Sequence, residues 1–429
     1  MTSEQRYAEA YVWAWLPGQI QPVVAGRLAR EGSNFLFNYG RSYLARKDAI
    51  SLYEPELPLR AGILPLTAGL SIPNCLRDAA PDAWGRRVII NRRLGAKTDA
   101  VDAADLDELT YLLESGSDRI GALDFQISPS KYVPRFASAA SLEELLNAAR
   151  LVEEGVSLTP ELDAALMHGS SIGGARPKAL IDHSNEHYIA KFSSQTDVYS
   201  VVKAEFIAMR LAALVGINAA PVRLAHVVGK DVLLIRRFDR RKINAGWERF
   251  AMVSALTLLG LDEMMARYAS YQELTTIIRH RFTDPRQTLR ELFCRLMFNI
   301  LCGNTDDHAR NHAAFWNGST LSLTPAYDIC PQGRIGREAS QAMLIDGDRR
   351  FSQIAVCLDA APSFLLSREE ATAIAMAQIS TIKEQWQPVC DEATLSTVDR
   401  ELFWRRQFLN PFAFEGAPNE LTRLVAEQS

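Results

Sequence analysis

The chain has 429 residues, of which 48% are hydrophobic and 23% charged, and a formal net charge of −4. That length accommodates two or three domains with a sizeable core, and the balance is that of an ordinary globular protein. So mild a charge argues against nonspecific nucleic-acid binding by the whole chain. The six cysteines (75, 294, 302, 330, 357 and 390) are scattered without a C-x-x-C pair, which predicts reduced thiols in a cytoplasmic protein. The opening M-T-S-E-Q-R carries an acid before any apolar run, unlike a signal or transit peptide. No apolar run reaches about 18 residues, so no membrane span is expected.

Residues 11–70 read as β-rich. Y-V-W-A-W-L nearly alternates before Gly18 and Pro22 interrupt it, and V-V-A-G-R-L-A-R and S-N-F-L-F-N-Y-G follow with glycines at the turns. In N-C-L-R-D-A-A-P-D-A-W-G-R-R-V-I-I, Pro81 can open a helix on which Trp84, Val88 and Ile89 fall at helical spacing. Nothing in that segment points to catalysis. Residues 97–165 read as helical, apart from a strand-like run over 122–127. A linker is expected near 130–145, dividing the chain into segments 1–130, 145–240 and 241–429.

Polar chemistry begins after Met167, where H-G-S-S-I-G-G-A-R-P-K-A forms a small-residue loop feeding a strand. Gly173 and Gly174 can turn backbone N–H groups toward phosphate oxygens, with Ser170, Ser171 and Lys178 adding polar and positive groups. The run also fits a plain surface turn, since neither a Walker loop nor G-x-G-x-x-G is present. Lys191 follows in the strand H-Y-I-A-K-F, placed either to pair phosphates or to send its ammonium out to water. The helix V-V-K-A-E-F-I-A-M-R-L-A-A-L ends near Gly216, a natural cap. Glu205, expected in its first turn, suits either a lysine partner or the helix dipole. A hairpin turning at Gly229 and Lys230 then runs into Arg236, Arg237 and Phe238. The basic cluster 236–241 reads as a solvated face.

From 250 to 300 the pattern is helical throughout, and T-L-R-E-L-F-C-R-L-M-F-N-I-L is apolar nearly all round, which predicts burial. It delivers N-T-D-D-H-A-R-N, a strand, a turn at Asn317 and Gly318, another strand, and L-T-P-A-Y-D. Phosphoryl transfer of the kinase type needs this set. One aspartate accepts the proton of the attacking hydroxyl, while an asparagine in the same loop and an aspartate a hairpin later hold Mg²⁺ on nucleotide phosphates. The spacing Asp-x-x-x-x-Asn selects Asp306 with Asn311, not Asp307, and makes Asp328 the second acid. A zinc-protease reading of His308 and His312 fails, because Ala309 stands where H-E-x-x-H has its glutamate. Residues 362–411 are helical again with a capping box at Ser367, and the tail from Pro418 reads as a plain terminus.

Taken together, S-S-I-G-G-A-R-P-K-A, I-A-K-F, L-I-R-R-F-D-R-R, N-T-D-D-H-A-R-N and L-T-P-A-Y-D resemble the HipA family of serine/threonine kinase toxins, in that family's order. The resemblance implies an α+β, bilobal protein-kinase-like fold with a small β-rich lobe (145–240) and a large helical lobe (241–429), preceded by a small β-rich N-terminal domain (1–130). It implies ATP and Mg²⁺ and transfer of the γ-phosphate to a serine of a protein, with aminoacyl-tRNA synthetases among the family's targets. It also implies a small helix-turn-helix antitoxin of the HipB type, and operator DNA reached only through that antitoxin. Carried over by position, Asp306 is the catalytic base, Asn311 and Asp328 bind Mg²⁺, and Glu205 is structural. Nucleotide contacts fall on Ser171, Ile172, Gly173, Gly174, Ala175, Arg176, Lys178, Lys191, Arg236, Arg237, Phe238, His308, Asn311, Tyr327 and Asp328. Autophosphorylation falls on Ser171, with Ser170 the neighbouring alternative. A small-molecule phosphotransferase, or an inactive kinase fold acting as a corepressor, would share many of these residues.

Overall fold

The alternating runs of the first segment pair into one antiparallel sheet. The computed structural model describes residues 7–94, 106–136, 140–171, 174–183, 186–194, 197–334 and 336–426. In it β1 (Glu9–Ala14), β2 (Val23–Glu31), β3 (Asn34–Tyr39), β4 (Ile63–Leu64) and β5 (Leu123–Gln126) lie in the order β4-β3-β2-β1-β5. Alternation puts Phe35, Phe37 and Tyr39 of β3 in the core. Helices α1 (Arg41–Leu44), α2 (Asn74–Arg77), α3 (Ala83–Leu94) and α4 (Glu108–Glu114) follow, and Trp84, Val88 and Ile89 are all buried. Of the helical stretch expected over 97–165, residues 97–105 and 137–139 lie outside the described residues. The rest holds α4, the strand β5, α5 (Leu142–Glu153) and α6 (Pro160–Leu166).

The chain forms two compact units. The first takes in Met1–Thr196, His226–Val253 and Phe315–Ser319, and the second Asp197–Ala225, Ser254–Ala314 and Thr320–Ser429. Another main sheet is formed by β6 (Lys178–His183), β7 (Glu186–Phe192), β8 (Val222–Val227) and β9 (Lys230–Arg236), in the order β6-β7-β9-β8. The β8–β9 turn falls on Val228 and Gly229, with φ of 49° and 74°, one residue before the expected place. A tight hairpin asks for two left-handed residues in succession, and Gly229 takes the second of them. A further hairpin joins β10 (Arg240–Ile243) to β11 (Gly246–Arg249), and β12 (Ala251–Ser254) follows. The A-M-V-S run, expected as helix, is therefore strand, because so short an apolar run satisfies either period.

The basic run over 236–241 is not the solvated face that its composition suggests. Arg236 is exposed, but Arg237 is 5% and Arg240 8% exposed. Arg237 pairs with Asp239 (2.8 Å) and Asp118 (3.0 Å), and Arg240 with Asp118 (2.8 Å), Asp239 (2.9 Å) and the Gly121 carbonyl (2.8 Å). Burial opposes the charged forms of both acids, but the two guanidiniums hold Asp118 far below the usual carboxylate range and pull Asp239 down to about 2. A one-dimensional charge run cannot reveal that the compensating Asp118 arrives from a distant segment.

The second unit is largely helical: α7 (Val201–Leu214), α8 (Ala255–Leu258), α9 (Tyr271–Arg281) and α10 (Pro285–Cys302), then α11 (Ile354–Ala360), α12 (Arg368–Glu392), α13 (Thr397–Phe403) and α14 (Asn419–Ala426); between α10 and α11 the chain forms the strands β13 (Ala313–Trp316) and β14 (Leu321–Leu323). The all-round apolar α10 is its spine, burying Leu292, Phe293, Leu296, Met297, Phe298 and Ile300. It stops at Gly303, whose φ is 75° and where an added Cβ would lie 2.7 Å from the Gln407 carbonyl, so glycine is required there twice over. Ser367 and Glu370 form the expected capping box of α12. The tail is no plain terminus: α14 buries Leu421. All six cysteines are free, and all but Cys294 are buried. No helix among the described residues is long and apolar enough to cross a membrane.

Candidate active site

In the second unit, the stop at Gly303 frees the loop N-T-D-D-H-A-R-N, and its two adjacent acids go opposite ways. Asp307 is 2% exposed. It accepts hydrogen bonds from the Tyr271 hydroxyl and from His312 Nε2 (3.0 Å). Burial works against its charge, but His312 and Tyr271 more than offset this and its carboxyl lies below the usual value. Asp306 is open to solvent. The protein packed around it raises its carboxyl above the usual range, Asp328 and Asp307 add to the rise, and His308 works the other way. Two carboxylates close enough to repel, Asp306 and Asp328, are what a divalent cation relieves.

The other members are fixed by the same loop. Asn311 Nδ2 donates to the Asp306 carbonyl at 3.0 Å, and Asn311 N to the His308 carbonyl at 2.8 Å. With its nitrogen so engaged, the amide turns its oxygen the other way, and Mg²⁺ takes oxygen. The Tyr327 hydroxyl donates to the Arg310 carbonyl at 2.6 Å, which brings the second acid back to the loop. Asp328 itself has a φ of 59°, a left-handed conformation that non-glycine residues rarely hold outside functional or tight-turn positions. His308 keeps Nδ1 buried and without a partner among the described residues. Among those residues no group of three or more His, Cys, Asp or Glu converges to hold a metal. Asn311 and Asp328 would be a sparse oxygen set, of the kind that suits Mg²⁺ when substrate phosphates complete its shell. Glu205 is buried on α7 in the second turn, one step beyond the expected place, so the dipole accounts less well for it.

In the first unit, Lys178 on β6 stands directly opposite Lys191 on β7, and the two are only 3% and 8% exposed. Like charges facing across a strand pair are unfavourable unless something negative lies nearby. Gly174, with φ of 103°, lies against the Lys178 ammonium: a Cβ there would fall 2.0 Å from Nζ. Ala175 is exposed and Arg176 half-buried, whereas Ile172 and Gly173 lie outside the described residues. Ser170 and Ser171 belong to a short 3₁₀ helix, Met167–Ser171, and not to an open loop. Ser170 Oγ donates to the Met167 carbonyl (2.7 Å) and Ser171 Oγ to the Asp118 carbonyl (3.1 Å). Arg237 N donates to the His187 carbonyl at 2.8 Å, and Arg236 pairs with Glu186 at 2.9 Å. Phe238 meets Phe315 edge-on at 6.0 Å.

The sequence reading missed what seats the glycine segment. Gly174 N donates to Asp82 Oδ2 at 2.6 Å, Trp84 N to the Gly174 carbonyl at 3.2 Å, and Trp84 Nε1 to the Lys178 carbonyl at 3.0 Å. Gly85 allows this approach, since a Cβ there would lie 2.4 Å from the Ser170 carbonyl. The only sequence signal was a tryptophan between an aspartate and a glycine at a helix start, which reads as ordinary packing.

An acid, an amide and a second acid carried by a helix-delivered loop and hairpin, with paired lysines on an antiparallel sheet, define a kinase-like α+β fold. A model of the HipA-like C-terminal domain matches residues 170–386, more than half of the chain, and a model of the HipA N-terminal domain matches 19–126; the chain belongs to the HipA family. A solved complex of Shewanella oneidensis MR-1 HipA and HipB with their operator DNA has the same fold, with a TM-score of 0.68, 19% identity, and 96% of this chain and 99% of that one covered. The serine/threonine-protein kinase toxin HipA of Shewanella oneidensis is 26% identical over 189 residues, which is 37% of this chain and 42% of the relative. That sequence match thus spans less than half of the relative's length.

Proposed function

We propose that the protein is an ATP- and Mg²⁺-dependent serine/threonine-protein kinase of a toxin–antitoxin pair. Its target is a serine on a protein, with an aminoacyl-tRNA synthetase the first candidate, and a HipB-like antitoxin restrains it and alone contacts operator DNA. The observation that carries this reading is the unequal pair Asp306 and Asp307: one acid is consumed by internal hydrogen bonds, while its neighbour is left facing Asp328. Asp306 receives the hydroxyl proton as the serine oxygen bonds to phosphorus and the bond to the ADP oxygen breaks. Asn311 and Asp328 hold Mg²⁺, which when bound neutralises charge on the phosphates. Lys178 and Lys191 face the phosphates, Arg236, Arg237 and Phe238 the adenine, and His308 and Tyr327 the nucleotide's flank. Glu205 has a structural role.

Ser171 is the proposed autophosphorylation site. It is 2% exposed and hydrogen-bonded to Asp118, so its modification requires the 3₁₀ helix to leave its seat. Phosphate added there would put about two negative charges where the hydroxyl now meets the Asp118 carbonyl. Mass spectrometry after incubation with ATP and Mg²⁺ tests both ideas. Phosphate on Ser171 in the native chain and none in Asp306→Asn is the expected result. An unmodified native chain that also fails to bind ATP overturns the proposal.

A further inference from the structure

The segment after Asp328 is strapped to the catalytic loop at two points. Gln332 N donates to the Gly303 carbonyl at 3.0 Å, and Ala342 N to the Thr305 carbonyl at 3.2 Å. Gln332 Nε2 also closes on the Cys330 carbonyl (2.9 Å), and the Tyr199 hydroxyl donates to the Pro331 carbonyl at 3.2 Å. Arg334 lies between the two straps, six residues past Asp328. Its Nε, Nη1 and Nη2 are all shut off from water, and none has a hydrogen-bond partner among the described residues. A guanidinium is always charged and carries five donors, and leaving it desolvated and unpaired is costly. Burial lowers its proton affinity, and no neighbouring acid acts to restore it. The contrast with Arg237 and Arg240, where every acid is matched, is sharp.

We infer that Arg334 is a phosphate-binding residue, its guanidinium placed to take oxygens of the terminal phosphate of the nucleotide held by Asp328. The inference rests on the kinase reading above. A planar fork of donors fits a phosphate bidentately, and phosphoryl-transfer sites use arginine to meet charge on the group being moved. The straps through Gly303 and Thr305 hold the backbone on both sides of the arginine to the loop that carries Asp306. A lone arginine in a glycine-rich stretch gives no sequence signal of this. The competing role, a structural cation, predicts partners that Arg334 does not have among the described residues.

Calorimetric titration of the full chain with ATP·Mg²⁺ and with ADP·Mg²⁺ tests it, in native, Arg334→Gln and Arg334→Lys forms, alongside melting of each form without nucleotide. Arg334→Gln is expected to weaken ATP binding about ten- to a hundredfold. ADP affinity should stay within about twofold, and Arg334→Lys should recover part of the loss. The nucleotide-free melting point should hold or rise, since an uncompensated cation is removed. An unchanged ATP-to-ADP preference in Arg334→Gln, with ATP still bound, overturns the inference and leaves the kinase reading standing. A lower melting point with equal losses for both nucleotides also overturns it, in favour of a structural arginine. Failure of the native chain to bind either nucleotide overturns both.

Discussion

Asp239 and Asp306 are carboxylates placed among other charged groups, one in each compact unit. Around Asp239 the fold supplies Arg237 and Arg240, and the acid is pulled down to about 2. Around Asp306 it supplies Asp328 and Asp307 and lets the carboxyl rise. The first arrangement is complete without a ligand, and its product is a joint between β-rich segments. The second would be relieved by a cation from outside, as the proposed metal site requires. Arg334 is the converse case, a buried cation with no hydrogen-bond partner among the described residues.

The comparison breaks most visibly at Asp306. Asp306→Asn should lower the rate of phosphoryl transfer by about 10²–10⁴-fold while leaving the melting point within a degree or two, measured by phosphate incorporation and by calorimetry. Asp239→Ala should do the reverse. It strands two buried guanidiniums and should cost about 3–5 kcal/mol in chemical denaturation, with activity per folded molecule retained. If Asp239→Ala proves neutral, the network is not a strut. Asp307→Ala sharpens the contrast between neighbours: loss of the acceptor for Tyr271 and His312 should cost about 1–3 kcal/mol, and Asp307→Asn less.

The smallest effect concerns pH. Glu56 accepts from Cys75 N at 2.8 Å on one oxygen, and its other oxygen has no partner among the described residues. Burial raises its carboxyl from 4.5 to about 7, with Asp78 adding to the rise. Because the folded value lies above the unfolded one, its stabilising contribution is full below pH 4.5 and lost as pH rises through 7. Glu56→Gln should therefore flatten the stability profile across that window, by at most about 3 kcal/mol. A native profile already flat from pH 5 to pH 8 would refute the assignment.

Much of the site was legible because its chemistry is local. Asp306, Asn311 and Asp328 declare themselves by spacing, and α10 by its apolar girth. What stayed hidden depends on partners far along the chain. Arg237 and Arg240 looked solvated because Asp118 lies more than a hundred positions away, and Asp82 gave no signal because Gly174 is 92 positions on. The run 251–254 was misread as helix for a different reason: three apolar residues and a serine carry too little periodicity to choose. Asp328's left-handed backbone also has no one-letter signature.

The clasp formed by Asp82, Trp84 and Gly85 on the segment 170–178 has an evolutionary corollary. The part matched by the N-terminal family model supplies the cradle, and the part matched by the C-terminal model rests in it. Chimaeras joined near residue 140 should work only when both donors keep matching halves of that clasp.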